Sequence, residues 1–448
     1  MFARATSLLK KATVVSPTVD LVERPFFRVV TAALFIAATV SGSATQAEDA
    51  RSSSDVPTAV SQALPELRYV GTLQAPNEKY GMFQSGTARL TWSPDGKRLA
   101  AYVHNGLGII TWSPDGKDQR EFPRYTNFGL DAYLLGFVAG HSQIIVSPAA
   151  GVKDPDEEEK VQQNTFSVMD AGTGEVLRGV PGPNPGKTFR ENIAQRLSIS
   201  PDQRLVAVIY HRYAGRSIGI YSTQNWERIA AIDLGSNNKR APDPQAITFS
   251  PDGKKLAVAH GDNSRVDILE VDTWKLLRSI ETFPETPPPM HVLSLGALAF
   301  NPDGSMIAVA SRSGGLYRKY SDGTPAPIGK GELVVEFPRD PLRVFLVDDG
   351  SLVASAGGFP GGLPDEKKLA WLPTGEFIAF LDTERQLRLW SPKHPGPPTT
   401  ALKLEHSAGG IVASPDGTQL AINFADGVKI FNVVAGDLKA GRTDESPK

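Results

Sequence analysis

The sequence predicts an all-β repeat fold. Three observations predict it: one four-residue turn recurs along the chain, a short apolar run follows each copy, and the copies recur at about fifty residues. The turn reads Ser93-Pro94-Asp95-Gly96, Ser200-Pro201-Asp202-Gln203, Ser250-Pro251-Asp252-Gly253, Asn301-Pro302-Asp303-Gly304 and Ser414-Pro415-Asp416-Gly417, with a weaker copy at Leu372-Pro373-Thr374-Gly375. Proline presets φ at the second turn position, Asp suits the third, and glycine takes the left-handed geometry that closes the reversal. The runs that follow are too short for helices and too uniformly apolar for strands with one wet face, so they read as strands buried on both sides.

Taken in order, the first unit has its turn at Ser93, the run Leu99-Ala100-Ala101-Tyr102, and a second turn at Trp112-Ser113-Pro114-Asp115-Gly116 that belongs to another hairpin of the same unit. The second unit carries a degenerate copy, Phe137-Val138-Ala139-Gly140-His141-Ser142, before Gln143-Ile144-Ile145-Val146. The third has Leu205 to Ile209, then a hairpin from Ser217 to Ile232. The fourth has Leu256 to Ala259, then a hairpin from Val266 to Ile280. The fifth has Ile307 to Ala310 and, after a long insertion, the pair Leu342 to Val347 and Leu352 to Ala356 around Asp348-Asp349-Gly350, a strong hairpin signal. The sixth has Phe377 to Phe380. The seventh has Gly410 to Ala413, Gln419 to Phe424 and Val428 to Val433, and then no outer strand. Leu67 to Leu73 precedes the first unit without a partner of its own and is expected to complete the seventh. Pro201 and Pro251 are 50 residues apart, and Pro251 and Pro302 are 51 apart. The count is seven. The fold expected is a seven-bladed β-propeller of four-stranded antiparallel blades, closed by an N-terminal strand.

The repeated Ser-Pro-Asp-Gly turn followed by Leu-Ala-Val-Ala makes residues 66–437 resemble the bacterial branch of the WD-repeat-like propellers. Trp-Asp pairs ending the third strand are missing, and Trp390 is the nearest match. The resemblance sets His291 and His406 near the family's histidine before the first strand, and Asp382 and Asp426 near its turn aspartate. It therefore implies a partial buried histidine–aspartate network.

The N-terminus reads as an export signal. Arg24 and Arg28 precede an apolar run from Val29 to Val40, and small residues lead to Ala47 before Glu48-Asp49. The run is short for a membrane span, which needs about 20 residues. The expected organisation is a signal peptide or anchor over 1–47, a flexible linker over 48–65, the propeller over 66–437 and a disordered tail over 438–448. The expected location is periplasmic or secreted. The 448 residues hold 42 glycines and 35 prolines, which suits many tight turns, and a formal net charge of −2, which gives no argument for nucleic acid. There is no cysteine, so disulfides, thiolate metal sites and cysteine nucleophiles are excluded.

In such a ring the connections from second to third strand and from blade to blade share one face. The long segments 150–164, 181–191, 211–216, 281–289, 313–339 and 357–365 all fall in that set, which points to a binding face. Two of them mix aromatic and basic groups suited to a protein interface: Arg212, Tyr213 and Arg216, and Arg312, Tyr317, Arg318 and Tyr320. The acidic run 153–160 lacks calcium-ligand spacing and reads as a solvated loop. The Pro-rich stretch 284–289 reads as an interblade linker. The seven histidines show no zinc-hydrolase spacing, and no nucleophile elbow or dinucleotide fingerprint is present. No catalytic, metal or cofactor residues are therefore nominated. The expected function is a non-catalytic exported scaffold that binds an envelope protein or protein complex, itself a monomer with no membrane span in its mature form. The rivals are a lactonase-like or cofactor-dependent enzyme, which would converge carboxylates and histidines on the central channel, and a glycan-binding module, which would cluster exposed aromatics.

Overall fold

The computed structural model describes residues 64–74, 90–103, 108–123, 135–140, 142–146, 164–183, 194–210, 217–233, 244–261, 264–283, 295–311, 315–322, 324, 330, 332–336, 339–359, 368–394, 396–406, 408–424 and 427–434. The signal-like segment, most of the linker, the C-terminal tail, the acidic run and the Pro-rich stretch lie outside them.

Seven four-stranded antiparallel sheets make up the described fold. Blade 1 is β2 (Leu90–Trp92), β3 (Leu99–Val103), β4 (Gly108–Trp112) and β5 (Gln119–Pro123). Blade 2 is β6 (Leu135–Val138), β7 (Gln143–Val146), β8 (Asn164–Asp170) and β9 (Val176–Pro181). Blade 3 is β10 (Ala194–Ile199), β11 (Leu205–Tyr210), β12 (Ser217–Ser222) and β13 (Arg228–Asp233). Blade 4 is β14 (Pro244–Phe249), β15 (Lys255–His260), β16 (Arg265–Glu270) and β17 (Leu276–Glu281). Blade 5 is β18 (Leu295–Phe300), β19 (Met306–Ser311), β22 (Leu342–Leu346) and β23 (Leu352–Ala356). A separate two-stranded arm, β20 (Gly315–Lys319) and β21 (Glu332–Glu336), is inserted between β19 and β22. Blade 6 is β24 (Leu369–Trp371), β25 (Ile378–Leu381), β26 (Gln386–Trp390) and β27 (Thr399–Lys403). Blade 7 draws on both ends of the chain: β28 (Gly410–Ala413), β29 (Gln419–Phe424) and β30 (Gly427–Val434), with β1 (Glu66–Gln74) as its outer strand.

The ring closes through the first strands. β2 touches β6, and the cycle runs through β10, β14, β18, β24 and β28 back to β2. β1 pairs antiparallel with β30 from Glu66 opposite Val434 to Gln74 opposite Gly427, with one bulge at Val70. The expected closure by Leu67 to Leu73 is the one found.

Packing explains why the apolar runs lack alternation. In β11, β15, β19 and β29 every residue after the first is buried. Each of these strands faces one blade on each side. Among the described residues the core is not one mass but seven clusters, one at each junction between neighbouring blades. Fully burying one Leu, Ile or Val contributes about 1.5–3 kcal/mol, so the junctions are the main source of stability. The outer strands β9 and β17 are largely exposed, as half-wet edges should be.

The recurring turn is held by one hydroxyl. Ser93 Oγ donates to Asp95 Oδ1 at 2.7 Å and accepts the Arg98 amide at 2.9 Å. The same pair of bonds recurs at Ser200, Ser250 and Ser414, and in the second-type turn at Ser113. Asn301 replaces the acceptor role with its amide oxygen, which takes the Met306 amide at 2.8 Å. The turns of neighbouring blades also touch. A Cβ placed on Gly304 would meet Pro251 of the preceding blade at 3.5 Å, and one on Gly253 would meet Pro201 at 3.7 Å. In blade 3 Gln203 stands where the others have glycine. It takes φ 61°, and its Oε1 accepts the Gly140 amide of blade 2 at 2.7 Å. One hairpin departs from the short third-to-fourth connections expected: in blade 6 residues 391–398 intervene, and Trp390 Nε1 donates to Gly396 O across them at 3.1 Å.

Candidate functional site

In each antiparallel blade the connection from second to third strand and the exit from the fourth leave at the same end. The long segments therefore depart from one face, and the arm is the longest part of them that the structure describes. The segment 313–339 was expected to be a loop; it contains instead the β20–β21 ladder, with Leu316 opposite Val335, Tyr317 opposite Val334 and Arg318 opposite Leu333. Beyond β20 the chain reverses at Ser321-Asp322. The Tyr320 amide donates to Thr324 O at 2.8 Å, and Asp322 Oδ1 accepts the Thr324 hydroxyl at 2.6 Å and its amide at 2.9 Å. These bonds hold the Asp322 carboxyl below its ordinary range.

The arm is rooted in two blades. At its base the Ser311 amide donates to Pro341 O at 2.9 Å, and Ser355 Oγ donates to Asp340 Oδ2 at 2.9 Å. Arg343, the second residue of β22, the strand that follows the arm, is 9% exposed. Its Nη1 donates to Thr282 O at 3.0 Å, and its guanidinium lies 4.5 Å from the centre of the Phe283 ring. Thr282 in turn bonds Ser264 O through both its amide and its hydroxyl. One arginine thus ties the root of the arm to the exit of blade 4 and to that blade's own second-to-third turn.

Blade 3 presents a second anchored base. Tyr210, the last residue before segment 211–216, lays its ring over Gly219, where a Cβ would meet Tyr210 Oη at 2.7 Å. Its hydroxyl bonds that of Tyr221, which reaches Pro181 O at 3.3 Å. Burial pushes both phenols above their usual range, Tyr210 strongly. Blade 4 holds a buried polar network on the same side. His260 is fully buried and its Nε2 meets Asp267 Oδ2 at 2.9 Å; Arg265 reaches the same oxygen at 2.9 Å, and Ser279 Oγ donates to Oδ1 at 2.6 Å. Burial pushes the Asp267 carboxyl up, but the bonds from His260 and Ser279 and the charge of Arg265 outweigh it and hold it low. With aspartate rather than histidine in the middle, the Ser279 hydroxyl meets a carboxylate and not the imidazole, so the arrangement is not a serine–histidine–acid triad.

Of the residues nominated from sequence, Tyr317 and Arg318 fall on β20, and Tyr320 follows it, 40% exposed. The structure gives β20 as backbone, so the side chains of Tyr317 and Arg318, like all of Arg212, Tyr213, Arg216 and Arg312, lie outside the described residues. His406 is exposed, and Asp382 takes Arg388 Nε at 2.5 Å and the Glu384 and Gln386 amides, each at 2.9 Å. His291 and Asp426, the other two members of the implied network, lie outside the described residues; Asp382 has the Arg388 guanidinium for a partner. Among the described residues the buried histidine–aspartate pair is His260–Asp267, which sequence reading passed over. Its signal was present: Asp267 and Arg343 are charges set inside otherwise apolar strands.

The axis itself is a cavity of about 440 Å³, lined by the first strands of all seven blades and by several of the recurring turns. Among the described residues its lining mixes Leu135, Ile199, Ile247, Leu298 and Ile411 with the hydroxyls of Thr91, Ser198, Ser200 and Thr248 and the amide of Gln203, and contains no carboxylate, imidazole or amine. Among the described residues no three histidines or acids converge where they could hold a metal. No helix among them is long and apolar enough to cross a membrane. No family model matches this chain, and no curated protein matches it.

Proposed function

We propose that this propeller is a non-catalytic scaffold of the WD-repeat-like kind, exported by its N-terminal segment, which binds a protein of the cell envelope through the face carrying the long connections. The observation that carries this reading is the arm. A two-stranded ladder alone is marginally stable, yet here it projects from a blade that is complete without it. Its root is fixed by Arg343 to the neighbouring blade. A ladder whose base is tied to two blades of a wide ring serves recognition of a macromolecule, because less freedom is lost at that base on binding. The described lining of the channel, which offers hydroxyls and one amide but no ionisable side chain, favours the same reading over a reaction at the axis.

The test replaces residues 313–339 by a short turn and compares tagged wild-type and variant chains after crosslinking in intact cells. The expected result is a stoichiometric envelope partner captured by the first and lost by the second, with the unfolding midpoint preserved. Retention of every partner by the variant would sink the proposal. Fractionation of the same cells tests export: recovery of the whole chain with the cytosol would overturn that part.

A further inference from the structure

We propose that the arm works by strand addition: the outer edge of β20 takes up an extended segment of the bound protein, apolar in its middle and acidic at its ends, as a third strand. This rests on the reading of the arm as the recognition element. The ring guards its own edges. An outer strand presents unpaired backbone N–H and C=O groups, a template for any passing strand, and a bulge interrupts that template. Blades 2 to 7 each have a bulge in the outer ladder, at Leu177, Ile229, Leu277, Val353, Ala401 and Val70 in turn. Blade 1 has none, but its outer strand carries Arg120 and Glu121 and ends in Pro123, which has no N–H to offer.

The arm has no such guard. Its five pairs run from Gly315 opposite Glu336 to Lys319 opposite Glu332 without a shift, and neither strand contains proline. Among the described residues β20 and β21 pair only with each other, so the ladder has two outer edges. Two strands are marginal in water, and a third supplies main-chain bonds along its whole length. Charge selects the edge and the occupant. β20 reads Gly315-Leu316-Tyr317-Arg318-Lys319, with two cations and no acid; β21 reads Glu332-Leu333-Val334-Val335-Glu336, with an acid at each end. β21 itself is the kind of strand that β20 accepts, with Lys319 opposite Glu332. A second copy of the chain fits neither edge as well. Antiparallel pairing of two β21 strands about Val334 sets Glu332 opposite Glu336, and pairing of two β20 strands about Tyr317 gathers four cations on one short ladder.

The probe is a labelled, end-capped peptide, Ser-Glu-Leu-Val-Val-Glu-Ser, titrated into the full chain and read by fluorescence anisotropy. Saturable binding is expected, about tenfold weaker when both glutamates are lysines. A strand turns the N–H groups of alternate residues to one side. Of two peptides N-methylated on one alternate set or the other, one should therefore lose binding and the other keep it. On binding, hydrogen exchange should slow at the amides of 315–319 and stay unchanged at those of 332–336. Absence of saturable binding would overturn the proposal, as would equal binding of the lysine peptide or equal behaviour of the N-methylated pair. So would quickened exchange at 332–336, which would show the peptide displacing β21, or self-association of the chain through the arm with the peptide unbound. These comparisons use the wild-type chain, so none depends on the folding of a variant. An envelope partner lost with the arm while the peptide fails to bind would sink strand addition alone. Peptide binding, with every envelope partner retained by the chain lacking 313–339, would sink the recognition reading and leave β20 as a strand acceptor.

Discussion

At the scale of single residues the recurring turn depends on a carboxylate. The bond donated by the serine hydroxyl is the main cause holding Asp115 and Asp202 at about 2, and it also lowers Asp416. Asp252 is lowered too, although burial pushes the other way. A carboxylate whose folded value is depressed contributes stability above its unfolded value, about 3.9, and that stability is lost as pH falls through the folded one. Unfolding midpoints should therefore drop between about pH 4 and pH 2, and Asp202→Asn, which keeps the accepting oxygen, should flatten part of that slope; an unchanged slope would count against this account. The glycines of the turns are unequal in a way that can be measured. A Cβ on Gly417, at φ 68°, would overlap the ring of Pro373, whereas one on Gly140, at φ 74°, meets nothing within 4 Å. Gly140→Ala should cost only the backbone strain, about 1 kcal/mol, and Gly417→Ala about 2–4 kcal/mol, by denaturant unfolding.

At the scale of elements, Arg343→Ala should loosen the arm without opening the ring. It removes a ring contact and a bond to a backbone carbonyl, a loss of about 2–3 kcal/mol. Hydrogen exchange should then quicken at the Ser311 and Leu342 amides, next to the arm, and stay unchanged at Ser113 in blade 1. Uniform quickening around the ring would show that the arginine supports the blade rather than the arm. The elements differ in how legible they were. The first-to-second turns were readable because Pro, Asp and Gly act locally, over four residues. The closing strand was readable from a missing partner, since a last unit with three strands demands a fourth. The arm was not, because Pro325 and Pro327 and the glycines between its strands read as loop. Its ladder has only five residues a side. Arg343 and Asp267 were missed for another reason. Arg343 reaches Thr282 and Phe283, in another blade, and the partners of Asp267 come from three strands of its own blade. No local pattern encodes such meetings. As for the candidate interface, Tyr317, Arg318 and Tyr320 could be nominated by composition alone, and only the ladder shows that they belong to one projecting element.

At the scale of the whole molecule, seven junctions close on themselves, and the described chain has its two ends on neighbouring strands. Glu66 stands opposite Val434, so a hairpin loop of about two to five residues could join them. A circular permutant made in this way, with new ends opened in 284–294, should fold with a single cooperative transition and a midpoint within a few degrees of the parent. A permutant that aggregates, or melts in two steps, would show that strand order matters to the ring as well as strand pairing. The pairing of β1 with β30 has one more consequence, which concerns time. A chain delivered N-terminus first releases β1 before any blade exists, and its mate is the last strand to arrive. Until then blade 7 cannot be finished and the first and last junctions stay open to solvent, to chaperones and to proteases. Any product cut short before Gly427 stays in that condition for good. The N-terminal strand thus acts as a seal that only a complete chain can set.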